Sequence, residues 1–203
     1  EDQEDLMRGS RAFAADDPAA AAEPAKFENW AVVGPDGGDV RTVTIDPRDP
    51  ERLYISTLDG QIHTSGNGGK TWRLLVNLNQ PELIIDDLFV DSQDSKLIYA
   101  SGHRHKGPGG FFRSADGGVT WKEAKELKKE SIHALTQSTA DPNVLLAGTV
   151  TGVWISKNRG EDWERINSPT NPINIDSLAT DPRNTTTLYA GTWWRAYKST
   201  DAG

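Results

Sequence analysis

Groups able to do chemistry concentrate in Ser101-Gly102-His103-Arg104-His105-Lys106-Gly107-Pro108-Gly109-Gly110. His103 and His105 stand two apart, so an extended chain would carry both imidazoles on one face. Such a pair could begin a metal site, but useful sites take three or four ligands and the sequence identifies no third. The expectation is no metal and no cofactor. With Arg104 and Lys106 the histidines form a basic segment suited to an acidic partner or a lipid headgroup. The second concentration is Trp193-Trp194-Arg195. Neighbours on a strand point to opposite faces. One indole is therefore expected in the core and the other outside, where it would anchor a protein or a sugar; the alternative packs both between sheets. The expected binding residues are His103, Arg104, His105, Trp193, Trp194 and Arg195.

These residues sit in a repeated frame. The phrase Ser65-Gly66-Asn67-Gly68-Gly69-Lys70-Thr71-Trp72 returns as Ser114-Ala115-Asp116-Gly117-Gly118-Val119-Thr120-Trp121. It returns again as Ser156-Lys157-Asn158-Arg159-Gly160-Glu161-Asp162-Trp163 and begins once more at Ser199-Thr200-Asp201-Ala202-Gly203. The spacings between first residues are 49, 42 and 43. A period in that range marks an array of small sheets and outranks local propensity. Each unit predicts four short strands. The first ends near Asp-Pro (46–47, 141–142, 181–182; Asp91-Ser92 in the second unit), where a missing ladder donor is tolerated. An apolar strand follows: Leu53–Ser56, Leu97–Ala100, Leu145–Gly148 and Leu188–Gly191. A third strand runs into the repeated phrase, which is the turn, and a fourth leaves its Trp. Ser and Asp side chains can bond amides a few residues on, and the fifth-position glycine can take a positive φ. The terminal Trp suits the gap between two twisted sheets. Four strands per unit at this period give an all-β propeller with one unit per blade.

Two regions stand apart. Residues 1–26 hold acidic clusters and an Ala/Pro run with few large apolar groups, which reads as a flexible tail or linker. Phe27-Glu28-Asn29-Trp30-Ala31-Val32-Val33 looks like a fourth strand without its first three, and the last unit breaks off after its third. Strand 27–33 is expected to complete the last blade and protect its edge. The chain has 30 acidic and 22 basic residues, net charge −8, which argues against a general nucleic-acid binder. Without Cys, it has neither disulfides nor thiolate metal sites. No apolar run reaches the roughly 18 residues of a membrane span.

Ser-x-Asp-x-Gly-x-Thr-Trp resembles the Asp-box, or BNR repeat, over residues 27–203. Boxes one and two match closely, with Asn67 for Asp in the first; box three carries Asn158 for Asp and Asp162 for Thr; box four lacks Thr-Trp. The resemblance implies a propeller, typically of six to eight blades, with the boxes on the blade periphery as folding devices. No site residue is assigned to them. About four blades are present, and part of a larger ring is the favoured reading, ahead of a closed four-bladed ring or two copies pairing. Families sharing the box include sialidases, xyloglucan-type endoglucanases, sortilin-like receptors and photosystem II stability/assembly factors. Ligands are expected at the loops Thr57–Gly60, Ser101–Gly110, Gly148–Gly152 and Gly191–Arg195.

Thr57-Leu58-Asp59-Gly60 is similar to the Asp-bearing loop of the endoglucanases. Hydrolysis needs a second carboxyl across the bond, for which Asp86 or Asp87 stands in the next blade. The flanking glycines and aromatics of that motif are missing, and Asp59-Gly60 also reads as a plain turn. A sialidase would need three arginines, for which Arg41, Arg104 and Arg195 are available, but the Arg-Ile-Pro motif is missing and no Tyr–Glu nucleophile pair can be assigned. The Leu-Tyr-Ala-Gly-Thr and Lys-Ser-Thr-Asp-Ala-Gly stretches look most like photosystem assembly-factor-like bacterial repeats. The resemblance implies a non-catalytic interaction or assembly platform, extracytoplasmic and associated with a membrane-protein complex. The alternative is a glycoside hydrolase using Asp59 and Asp87, with carbohydrate as ligand.

Overall fold

The computed structural model describes residues 31–35, 39–167 and 172–203. The tail expected at 1–26, and residues 27–30 of the expected closing strand, lie outside the described residues. Residues 31–33 carry no strand assignment, and the carbonyl of Val33 accepts the indole N–H of Trp72 in the first blade.

The fold is all-β, a β-propeller of four antiparallel sheets taken in chain order. Blade one holds β1 (Thr42–Asp46), β2 (Asp49–Ser56), β3 (Gln61–Ser65) and β4 (Arg73–Asn77). Blade two holds β5 (Ile84–Val90), β6 (Ile98–Arg104), β7 (Gly107–Ser114) and β8 (Lys122–Glu123). Blade three holds β9 (Ile132–Gln137), β10 (Leu145–Thr149), β11 (Val153–Ser156) and β12 (Glu164–Arg165). Blade four holds, among the described residues, β13 (Ile175–Asp181), β14 (Asn184–Thr192) and β15 (Ala196–Ser199). First strands of successive blades pack on one another: β1 on β5, β5 on β9, β9 on β13.

Three cores fill the gaps between neighbouring blades. Tyr54 and Ile62 meet Ile85, Leu88, Ile98 and Phe112, with Trp121 at the margin. Tyr99 and Phe111 meet Ile132, Leu135, Leu145 and Trp163. Leu146 and Ile155 meet Ile175, Leu188 and Ala190. In blades one to three the second-strand runs are largely apolar because both faces of that strand are covered; in blade four Tyr189 is exposed. Each fully buried aliphatic side chain contributes about 1.5–3 kcal/mol, so these seams hold the blades together.

The repeated phrase does what its residue types predict. The fifth-position amides of Gly69, Gly118, Gly160 and Gly203 donate to Ser65, Ser114, Ser156 and Ser199 Oγ at 2.9, 2.8, 2.9 and 2.7 Å. Thr71, Thr120 and Asp162 donate their amides to Asn67, Asp116 and Asn158 at 2.9, 2.8 and 3.0 Å. The odd spelling of box three has a chemical logic. Thr120 Oγ1 donates to Asp116 at 2.6 Å, whereas in box three the Asn158 amide donates to the Asp162 carboxylate at 2.8 Å. Asp at both positions would oppose two like charges. The fourth position also has positive φ: 66° at Gly68, 76° at Gly117, 57° at Arg159 and 66° at Ala202. There each amide donates to a carbonyl at or just before the start of the second strand of its own blade, at Glu51, Lys96, Asn143 and Thr186.

The segment Ser101–Gly110, expected as a long loop, is nearly all strand. Gly102 pairs with Gly110 and Arg104 with Gly107, leaving a two-residue tip at His105 and Lys106. The glycines admit this pairing by close backbone approach: a Cβ on Gly109 would lie 2.1 Å from the Gly102 carbonyl oxygen.

Candidate functional site: the hairpin-tip face

Antiparallel strands place alternate turns at opposite ends of a blade. The repeated phrases and the Asp-bearing turns share one end. The second-to-third-strand tips, Leu58–Gly60, His105–Lys106, Val150–Gly152 and Trp193–Arg195, share the other with the links between blades. Backbone bonds from Gly60 to Leu83, from Gly109 to Glu130 and from Asn174 to Val150 join tips to links.

Asp59 is exposed and left-handed, at φ 62°, and its carboxylate accepts the Glu82 amide at 3.0 Å. It pins the link into blade two. Asp87 is half-buried and takes the Ser101 hydroxyl at 3.2 Å. Burial pushes its carboxyl up to about 6; the Ser101 bond opposes this, the Asp86 charge adds to it, and the Leu135 amide opposes it again. Neither Asp59 nor Asp87 lines the cleft at the fourth-blade tip, the groove beside β15, or the cleft between Arg113 and Asp162.

His103 and His105 do not share a site. His105 is exposed at the tip. His103 Nδ1 lies 2.5 Å from Asp86 Oδ2, and its ring lies 4.8 Å, centre to centre, from that of His133 in blade three. Arg104 spends its guanidinium on the carbonyls of Pro81 and Pro108 and on Gln80, stapling hairpin to link. Arg41 pairs with Asp39 at 2.9 Å.

Both indoles of Trp193 and Trp194 face solvent, at 79% and 88% exposure. The expectation of one core indole fails because the pair occupies a tip rather than a strand, where alternation does not apply. Thr192 builds that tip. Its hydroxyl oxygen accepts the amides of Trp194 and Arg195 at 3.3 and 3.2 Å, and its amide donates to the Arg195 carbonyl at 2.9 Å. Ile173, Asn174 and Tyr197 join the two indoles and Arg195 around a cleft of about 480 Å³. Ile173, also exposed, extends the apolar surface.

His133 was missed by sequence reasoning. It was findable by aligning first strands on Ile-x-x-Leu: Ile85-Asp86-Asp87-Leu88, Ile132-His133-Ala134-Leu135 and Ile175-Asp176-Ser177-Leu178. In each, the second residue falls where the pairing register slips. A bulge there re-aims the side chain.

The Sortilin-Vps10 family model (sortilin, neurotensin receptor 3) matches residues 109–203. A xyloglucanase of Acetivibrio thermocellus is 26% identical over 183 residues, covering 81% of this chain and 19% of that protein. The chain thus spans about a fifth of the length of the curated relative it matches. The crystal structure of a GH74 xyloglucanase from Xanthomonas campestris is similar at TM-score 0.68 and 17% identity, over 81% of this chain and 28% of that one. The structure of YCF48 bound to D1 peptide is similar at TM-score 0.55 and 12% identity, over 81% and 53%. At these identities the solved structures establish the β-propeller fold.

Proposed function

We propose that this chain is a non-catalytic propeller module that docks a partner polypeptide on its hairpin-tip face, with Trp193, Trp194 and Arg195 as the anchor. One observation carries the reading: two adjacent tryptophans are held almost wholly in solvent by a threonine-built tip beside a cleft. Leaving two indoles in water is costly for a monomer, and Trp and Arg are the residues that dominate docking energies. A fixed tip also lowers the ordering cost of binding. Lys106 adds a positive charge to the same end of the molecule. That a propeller of the same fold has been solved with a bound peptide supports a polypeptide partner. The setting we propose is extracytoplasmic, beside a membrane-protein complex. Among the described residues no helix is long and apolar enough to cross a membrane.

Similarity to a xyloglucanase favours a second reading, a glycoside hydrolase using Asp59 and Asp87. Against it stands the engagement of Asp59 with a backbone amide, and the place of both carboxyls away from these three clefts. The test selects peptides on the intact chain from a random library, then measures their affinity for it and for a Trp193→Ala/Trp194→Ala variant. Xyloglucan hydrolysis is assayed in parallel. Docking predicts selected peptides that lose at least about tenfold in affinity to the variant. Equal affinity for both proteins overturns it. Release of reducing sugar that Asp59→Asn abolishes establishes the hydrolase instead.

A further inference from the structure

Asp86, His103 and His133 come from three strands of two blades, and their ligating atoms all lie within 4.8 Å of one another. We propose that these three side chains bind a divalent transition-metal ion of the zinc class, clipping blade two to blade three at the tip face. This inference is independent of the docking reading.

The backbone assembles the set with two register slips. Ile85 pairs with Gly102 and Asp87 with Ser101, so Asp86 is the extra residue of a bulge. The shift between Gly148 and Thr149 does the same for His133, between the paired residues Ile132 and Ala134. Each slip turns a polar side chain out of the regular alternation toward His103. All three side chains are half-buried, shielded enough to hold a geometry and open enough for an ion to enter.

The donor chemistry is imidazole, imidazole and carboxylate, the mixture that zinc takes at about 2.0–2.2 Å from each atom. Donors around such a tetrahedral centre stand roughly 3.4 Å apart. Here His103 Nδ1 and Asp86 Oδ2 stand 2.5 Å apart, and all the ligating atoms lie within 4.8 Å of one another. Rotations of half-buried side chains close that difference. Three protein ligands leave the fourth position to water. The local field also favours a cation. Asp86 and Asp87 are adjacent carboxylates, and among the described residues neither has a lysine or arginine ion-pair partner. The two imidazoles lie ring against ring at 4.8 Å with a tilt of 44°, an approach that a shared ion would stabilise. At this joint β5 and β9 already pack together, so an ion there would clip two strands in contact.

The test is titration of the purified full chain with Co2+, read by visible absorption, and with Zn2+, read by calorimetry. Folding is checked by circular dichroism. The proposal expects one saturable site, a tetrahedral cobalt spectrum, and affinity at least tenfold weaker in His133→Gln and in Asp86→Asn. Loss of a ligand should cost no less than the 10–100-fold typical of outer-shell changes. His105→Gln, which alters the exposed neighbouring histidine, should bind as the natural chain does. Absence of saturable binding overturns the proposal. So does binding that survives both His133→Gln and Asp86→Asn, or that disappears with His105→Gln. If His133→Gln fails to fold, Asp86→Asn alone decides, because it keeps the shape of the side chain.

Discussion

The tips Thr149–Gly152 of blade three and Thr192–Arg195 of blade four close the same hairpin with the same bonds. In each, the threonine amide donates to the carbonyl three residues on, at 2.9 Å. In each, the threonine hydroxyl oxygen gathers the next two free amides, at 3.1 and 3.1 Å in blade three and 3.3 and 3.2 Å in blade four. What surrounds them differs. Thr149 is fully buried, Thr151 donates to Glu130 at 2.9 Å, and Arg165 reaches the Thr151 carbonyl. The third-blade tip is stitched to its neighbours. The fourth-blade tip carries two exposed indoles and an arginine instead. One backbone device serves as a seam in one blade and, in the docking we propose, as a display platform in the next.

The largest expected break of that symmetry is in binding. Trp193→Ala with Trp194→Ala should weaken docking by about 2–4 kcal/mol, with an unchanged denaturant midpoint. The corresponding change at Val150 and Thr151 should leave docking intact and lower the midpoint, through the lost bond to Glu130.

Next comes the threonine itself. Thr149→Val strands the buried Gly152 amide and the partly buried Thr151 amide, and should cost about 1–3 kcal/mol of stability by denaturant unfolding. Thr192→Val frees amides that water can reach, and should cost under about 1 kcal/mol while loosening the display and weakening docking several-fold. Equal stability losses at both positions would mean that the fourth-blade tip is buried in the molecule as it exists in solution.

The far end of the blades allows a smaller test of the same idea, that one device tolerates different chemistry when its partners change together. Asn158→Asp places a second carboxylate against Asp162 and should cost about 0.5–1 kcal/mol, recovered by adding Asp162→Thr. The smallest effect is acid titration. Bonds from the Thr120 hydroxyl and amide hold the Asp116 carboxyl down to about 2. A depressed carboxyl stabilises above its unfolded value and loses that contribution as pH falls through its folded one. The Asp116 carbon resonance should therefore titrate near pH 2, and Thr120→Val should move it up toward 3.8.

The scaffold was legible because its chemistry is local. Ser65, Asn67 and Gly69 act within one turn, so repetition alone identifies blades, turns and the interblade tryptophans. The second left-handed position was not legible, since Arg159 and Ala202 occupy it without glycine. At Arg159 the side chain is held by Asn143 and Gln93 at 3.1 and 2.7 Å. The proposed site was legible only in part. Trp193, Trp194 and Arg195 were singled out from residue type, but strand alternation misplaced one indole because the chain turns there. The meeting of Asp86, His103 and His133 depends on two bulges, and a bulge is a property of pairing between strands that one strand's spelling does not carry.

The most direct measurement is the intrinsic tryptophan fluorescence of the intact chain titrated with a library-selected peptide, beside the Trp193→Ala/Trp194→Ala variant. A display tip predicts a saturable change in the natural chain, and a variant that unfolds at the same denaturant concentration yet binds at least about tenfold more weakly. Equal peptide affinity in the two proteins would contradict the account.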